Sequence, residues 1–167
     1  MKKVFKIFIT LFALIILIGY VNLNLKSNSV YYAKHMLRGE GQQPELIMLI
    51  DNLYWVQNPE IDGIKYDFDG TNVISFNNKQ FFGNVYSDEV EYSYRNQNEI
   101  FYRFNKKFEL LHVTDANNWE GIALNSVDYS EVISEIKELL APIIDEQPEP
   151  SINLQWLFNL IYEDDFK

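Results

Sequence analysis

The 167-residue chain contains no cysteine. This excludes disulfide bonds, thiolate metal ligands, a cysteine nucleophile and a lipid-modified N-terminal cysteine. A lack of cysteine fits an extracytoplasmic location, because proteins there either pair their cysteines or avoid them. The two histidines, His35 and His112, have no companion residue at the spacing of a zinc site or of a catalytic pair. We expect His112 to be a packed or half-exposed structural residue of a strand.

Local signatures of catalysis are also missing. There is no nucleophile elbow, phosphate-binding glycine loop, dinucleotide-binding turn or zinc pattern. Residues 58–69 have the spacing of a calcium loop, but Pro59, Lys65 and the short Asp69 stand where that loop needs other residues. A polar turn accounts for these aspartates. We expect no catalytic site, metal or cofactor, although a site assembled from distant residues would leave no local trace.

Charged side chains are absent from Ile7 to Val21, and the surrounding apolar segment extends over Val4–Leu25. A helix that spans a bilayer needs about 20 mostly apolar residues. We therefore predict a single-pass transmembrane signal-anchor within residues 1–26. The alternative is a secretory signal cleaved near Ser27–Ser29, which lies rather far beyond the apolar core for such a site.

The orientation of this anchor is predicted from its flanking lysines and arginine. Positive charges are nearly balanced across the segment: Lys2, Lys3 and Lys6 precede it, and Lys26, Lys34 and Arg38 follow it. We favour a cytoplasmic N-terminus, because a short tail with clustered lysines is typical of an export signal. The rest of the chain would then be an extracytoplasmic, for example periplasmic, domain at the cell membrane.

Acidic residues are absent from the first 26 positions and dominate afterwards. Residues 27–167 contain 24 acidic and ten basic residues, a formal charge of −14. This charge repels nucleic acid and anionic lipid headgroups. It favours a basic protein partner or cations, or it simply maintains solubility. The length is that of one domain, so we predict a single acidic domain over residues 27–167.

The hydropathy pattern between Ile64 and Thr114 has a period of two, which is typical of strands. Residues such as Val90, Tyr92 and Tyr94 alternate with polar neighbours. Turn-forming residues separate the strands at Asp69-Gly70, Asn77–Lys79, Asn96–Asn98 and Asn105–Lys107. Asp69-Gly70 is the pair expected in a two-residue hairpin. We predict an antiparallel β-meander of about five or six strands.

Helical patterns flank this meander on both sides. They cover Val30–Leu37, a segment from Pro44 to the break at Asn58-Pro59, a segment from the Asp128 cap to about Pro142, and Ile152–Tyr162 with Ser151 as its cap. The predicted fold class is therefore α+β, with an N-terminal transmembrane helix and one antiparallel sheet covered by flanking helices.

The last predicted helix is apolar around most of its circumference and ends in carboxylates, which the helix dipole disfavours there. It could be docked in a groove of the core with a solvated tail. Alternatively, it could form an interface with aromatic anchors and an acidic rim for a basic partner. The candidate contacts for such a partner are Trp156, Phe158, Glu163, Asp164 and Asp165.

The pattern as a whole favours a membrane-anchored protein-binding module. One concrete hypothesis is an immunity or inhibitor protein that neutralises a basic toxin or enzyme. The alternative is a structural or assembly factor of an envelope or secretion complex, acting through its anchor as much as through its domain.

Overall fold

The computed structural model describes residues 2–83 and 91–166. Its helices are α1 (Lys2–Ser27), α2 (Ser29–Lys34), α3 (Pro44–Asp51), α4 (Tyr129–Asp145) and α5 (Gln155–Tyr162). Its strands are β1 (Ile64–Asp67), β2 (Val73–Phe76), β3 (Lys79–Gly83), β4 (Tyr92–Arg95), β5 (Ile100–Phe104), β6 (Leu110–Asp115) and β7 (Glu120–Ile122). The α+β prediction is confirmed.

The seven strands form one antiparallel sheet in which spatial order follows sequence order. This is the predicted meander with a strand count slightly above five or six. The additional strand, β7, has only three residues and pairs with the end of β6 through Val113–Ile122 and Asp115–Glu120. So short a strand shows no alternation in sequence. The predicted strand that begins at Val90 starts at Tyr92 in the described part, and Val90 itself lies outside the described residues.

One of the predicted turns is confirmed, and the geometry predicted for another is wrong. Asn77 and Asn78 form a two-residue hairpin closed by the pair Phe76–Lys79, and Asn77 has the positive φ of 47° that such turns require. The two-residue hairpin predicted at Asp69-Gly70 is wrong, because five residues, 68–72, separate β1 from β2. There, the Asp67 carboxylate accepts a hydrogen bond from the backbone N–H of Asp69 at 2.9 Å and forms a wider loop.

Several helix limits also differ from those predicted. The segment that begins at Pro44 is helical only as far as Asp51, and α2 ends at Lys34 rather than at Leu37. Asp128 caps α4 as expected, accepting from the backbone N–H of Ser130 at 2.9 Å. The prediction that Pro142 limits this helix is wrong. Pro142 lies on the exposed side of α4, where the carbonyl that loses its partner can be solvated.

The start of α5 is later than predicted. The helix begins at Gln155 rather than at Ile152, and Ser151 does not cap it. Instead, the Asn153 side chain accepts a hydrogen bond from the backbone N–H of Gln155 at 2.9 Å.

Helices α3 and α4 pack on one face of the sheet. Large side chains from both layers meet there with no solvent exposure, among them Leu46, Leu49, Ile50, Ile74, Phe81, Tyr94, Phe104, Ile136 and Leu140. Ring pairs such as Phe104–Phe108, with centroids 4.7 Å apart, fill the layer between them. The core is therefore continuous from the helices into the sheet.

Helix α1 is long and apolar enough to cross a membrane, with a mean hydropathy of 2.6 over its most apolar part. Its residues 3–20 are exposed on every side, whereas its C-terminal end contacts the domain. Leu25 belongs to the core, and the side-chain amide of the buried Asn24 donates to the Ile152 carbonyl at 3.1 Å. The helix that could cross a membrane is thus continuous with the folded domain.

Candidate functional site

Two of the predicted contact residues, Trp156 and Phe158, lie on α5 and differ in solvent exposure. Trp156 is 67% exposed, whereas Phe158 is completely buried. The Phe158 ring packs against Tyr32, with centroids 5.2 Å apart, and against Tyr162 at 4.6 Å. Phe158 therefore holds α5 onto the core and is not part of the exposed surface to which the sequence assigned it.

The outer side of α5 presents large apolar side chains to solvent. Leu160, four residues after Trp156 and hence on the same face, is 75% exposed. Asp164 follows after another four residues, in a 3₁₀ turn over Glu163–Asp165 that continues from the helix. Trp156, Leu160 and Asp164 are thus three exposed residues at intervals of four along α5 and the 3₁₀ turn, hereafter the row.

The acidic tail, residues 163–166, is attached to the domain. Phe166 is buried, and its carbonyl accepts a hydrogen bond from the backbone N–H of Gly39 at 2.8 Å. Asp164 and Asp165 are exposed, whereas Glu163 is half-buried. The tail therefore presents two carboxylates at a fixed position on the domain.

Asp164 and Asp165 line a cleft of about 380 Å³ between α3, the start of β4 and the tail. Asp51 and Tyr92 contribute to the same cleft, and Lys106 and Lys107 border it. The structure thus brings together two predicted contact residues and an acidic residue from elsewhere in the chain. Trp156 does not line this cleft, so the exposed predicted residues Trp156, Asp164 and Asp165 do not form one pocket.

The cleft contains an acidic residue that sequence reasoning missed. The Tyr92 hydroxyl donates a hydrogen bond to Asp51 Oδ2 at 3.2 Å. Desolvation by the surrounding protein raises the pKa of Asp51 to about 6, although the residue as a whole is exposed. Burial, followed by the nearby Asp51 carboxylate, raises the pKa of Tyr92. The available signal was an acidic residue at the C-terminal end of an apolar helix, where the dipole disfavours it.

Most of the negative charge of the domain is not compensated internally. The described ranges omit only Asp88 and Glu89 of the 24 acidic residues. Setting Glu163 aside, three carboxylates in these ranges form ion pairs: Asp145 with Lys34, Glu45 with Arg38 and Glu99 with Arg95. The described part of the domain therefore carries a large uncompensated negative charge.

The histidines do not join this cleft. His112 is exposed on the sheet face that points away from the helices, so the expectation of a packed or half-exposed residue is wrong. It occupies an outward position of the pleat, next to Arg103 on the neighbouring strand. His35 contacts the Tyr31 carbonyl through Nδ1 at 2.7 Å. Within residues 2–83 and 91–166, no three histidine or acidic side chains are grouped to hold a metal ion.

Comparison with known proteins gives no relative: no protein-family model, no curated protein and no solved structure matches the chain.

Proposed function

We propose that this chain is a membrane-anchored module that binds a basic protein on the extracytoplasmic side of the cell membrane. Helix α1 holds the domain at the bilayer, and the row formed by α5 and the tail contacts the partner. The activity is binding and not catalysis.

The dimensions of α1 support the anchor. Its exposed part, residues 3–20, is about 27 Å long at the rise of an α-helix, close to the thickness of a bilayer core. Removing it at the possible signal cleavage site near Ser27–Ser29 would delete Leu25 from the core. It would also leave the buried Tyr32 without its Asn24 partner. These contacts favour an anchor that stays attached.

The observation that carries the binding proposal is the row of Trp156, Leu160 and Asp164 along α5 and the tail. Exposed tryptophan side chains are frequent anchors of protein interfaces. Carboxylates beside such anchors select partners of positive charge and suppress others. An apolar anchor with an acidic rim is therefore suited to the surface of a basic protein.

The uncompensated charge of the domain supports the same kind of partner. A field of one sign accelerates the encounter with a molecule of the opposite sign, and dissolved salt screens this attraction. The concrete form of the proposal is an immunity or inhibitor protein whose carboxylates cover the cationic surface of a toxin or enzyme. Binding would then weaken as the salt concentration rises.

The test is affinity capture of partners by the full chain from detergent extracts. We expect a basic protein to be retained at low salt and released as salt is raised, and Trp156→Ala to reduce its retention. Trp119→Ala is the matched control, since Trp119 is 70% exposed but lies in the turn before β7. Recovery of no basic protein at low salt, or equal losses in both variants, would contradict the proposal.

A further inference from the structure

An exposed aromatic cluster lies beside the end of α1 and belongs to elements other than α5 and the tail. It consists of Tyr54, Trp55 and Phe68, hereafter the Trp55 cluster. Tyr54 is 71% exposed and its ring packs edge-on against Trp55 and Phe68, with centroids 5.2 and 6.2 Å apart. The three side chains come from the turn after α3 and from the loop between β1 and β2. They form a continuous aromatic surface that the domain does not cover.

The position of the Trp55 cluster relative to α1 is fixed by Lys26. The ammonium group of Lys26 lies 5.4 Å from the centroid of the Trp55 ring, within cation–π range. Lys26 belongs to the last turn of α1. Because the Cα–Cβ bonds of a helix tilt toward its N-terminus, the Lys26 side chain leaves the backbone in the direction of the apolar part of α1. The Trp55 ring therefore lies close to the level at which α1 would leave the membrane.

The distance of Lys26 from the membrane edge follows from the rise per residue of an α-helix. Tyr20 is the last residue of the fully exposed part of α1, and Lys26 lies about 9 Å further along the axis. The headgroup layer on each side of a bilayer is roughly 5–8 Å thick. The backward lean of the Lys26 side chain shortens the distance further. With the membrane edge at Tyr20, the Trp55 cluster would therefore lie at about the level of the headgroup layer.

The chemistry of the cluster fits that layer. Tryptophan and tyrosine are enriched at membrane interfaces because they combine an apolar ring with a polar group. Lysine extends along apolar surface while its ammonium group reaches phosphate oxygens. On the other side of α1, the Asn24 amide contacts the carbonyl of Ile152, whose side chain is also exposed. Apolar side chains therefore flank the helix exit on two sides.

We propose that the Trp55 cluster inserts into the headgroup layer of the bilayer that α1 crosses and seats the domain on the membrane surface. This inference rests on the proposed anchor function of α1. A second membrane contact beside the helix would restrict the tilt of the domain. The row on α5 would then face its partner in one orientation.

The test uses the full chain in phosphatidylcholine vesicles whose acyl chains are brominated close to the headgroup. Two variants each keep one tryptophan: Trp119→Phe with Trp156→Phe keeps Trp55, and Trp55→Phe with Trp156→Phe keeps Trp119. Trp119 is a matched control, because it is exposed and precedes β7, at the opposite edge of the sheet from β1. Six strand spacings, roughly 29 Å, separate these edges.

We expect bromine to quench Trp55 at least about twofold more strongly than Trp119, since only Trp55 would lie in the interface. Equal quenching in vesicles that carry the protein on flotation would overturn the seating proposal and leave the anchor intact. Failure of the protein to float with the vesicles would overturn both. Trp55 accessible to acrylamide but not to bromine would indicate a surface reserved for a protein and would also contradict the proposal.

A second measurement does not depend on the tryptophan replacements. Because the chain has no cysteine, Tyr54→Cys and Trp119→Cys each provide one site for a spin label. We expect the label at position 54 to be relaxed preferentially by oxygen, which concentrates in lipid, and the label at position 119 by a water-soluble nickel complex. The same preference at both positions would overturn the proposal.

Discussion

The hydroxyl of Tyr32 donates a hydrogen bond to Oδ1 of Asn24 at 2.7 Å, and both residues are buried. The same hydroxyl accepts from the backbone N–H of Leu154 at 3.1 Å. This small network joins α1, α2 and the segment before α5. It explains how an apolar helix that leaves the domain is nevertheless fixed to it.

Tyr32→Phe should lower the free energy of unfolding by about 1–3 kcal/mol, because it leaves buried polar groups without a partner. Denaturant unfolding of the full chain in mild detergent measures this change. Tyr31→Phe is the control, since the neighbouring hydroxyl makes only an exposed contact with Glu149 at 3.4 Å. Equal effects of the two substitutions would show that the Asn24–Tyr32 contact does not hold α1 to the domain.

Asp51→Asn should change the pH dependence of stability. The pKa of Asp51 is raised from 3.8 to about 6, so the unfolded chain loses this proton at lower pH than the folded one. Ionisation of Asp51 therefore costs stability as the pH rises from about 4 to 6, and the full cost remains above 6. The variant should have a higher Tm at pH 7 and a flatter profile across that interval.

Thermal unfolding between pH 4 and pH 7 tests this prediction. The control is Asp62→Asn, which removes a similar charge from an exposed site outside the cleft. A steeper loss of Tm in Asp51→Asn than in the parent chain would contradict the account of the cleft.

Gly83→Ala should destabilise the domain by about 1–3 kcal/mol through overpacking. A Cβ atom at Gly83 would lie 2.7 Å from Cγ1 of Ile50, which is itself completely buried. Gly121→Ala is the control, because a Cβ atom there meets nothing within 4 Å. Denaturant unfolding of both variants measures the difference. A neutral Gly83→Ala would mean that α3 and β3 pack less closely than described.

Replacement of Ile7–Val21 by an unrelated transmembrane helix should leave capture of the basic partner unchanged. The reason is that the proposed contacts lie on α5 and the tail, whereas residues 3–20 are exposed; Val21, which packs against the core, is kept as valine in the exchanged helix. Affinity capture with the exchanged chain, after confirming its insertion, measures this. Loss of capture despite normal insertion would favour the alternative, an assembly factor that acts through its anchor.

Features with a short sequence period could be predicted. The alternation through Tyr92–Arg95 and Ile100–Phe104 identified paired strands, because successive side chains of a strand point to opposite faces. The uncharged segment from Ile7 to Val21 likewise identified the long helix. The cap at Asp128 followed from residue type alone, since a short acidic side chain before an apolar stripe satisfies free backbone N–H groups.

Features that depend on tertiary contacts could not be predicted. Asn24 lies within the segment that the sequence predicts as an apolar anchor. Its side chain nevertheless links α1 to the domain through hydrogen bonds with Ile152 and Tyr32. Asp51 and Tyr92 are 41 residues apart, and only the packing of α3 against the sheet brings them together. Phe158 was assigned to a contact surface because the helical pattern is apolar on most sides. Phe158 is buried because it packs against Tyr32 and Tyr162, whereas Trp156 on the same helix is exposed.

The most direct measurement is alkaline carbonate extraction of membranes from cells that produce the full chain, followed by mass spectrometry of peptides from the N-terminal segment. The account predicts that the protein stays in the membrane pellet and retains the residues before Ser27. Recovery of a soluble domain that begins after Ser27, or of the intact chain in the carbonate supernatant, would contradict it.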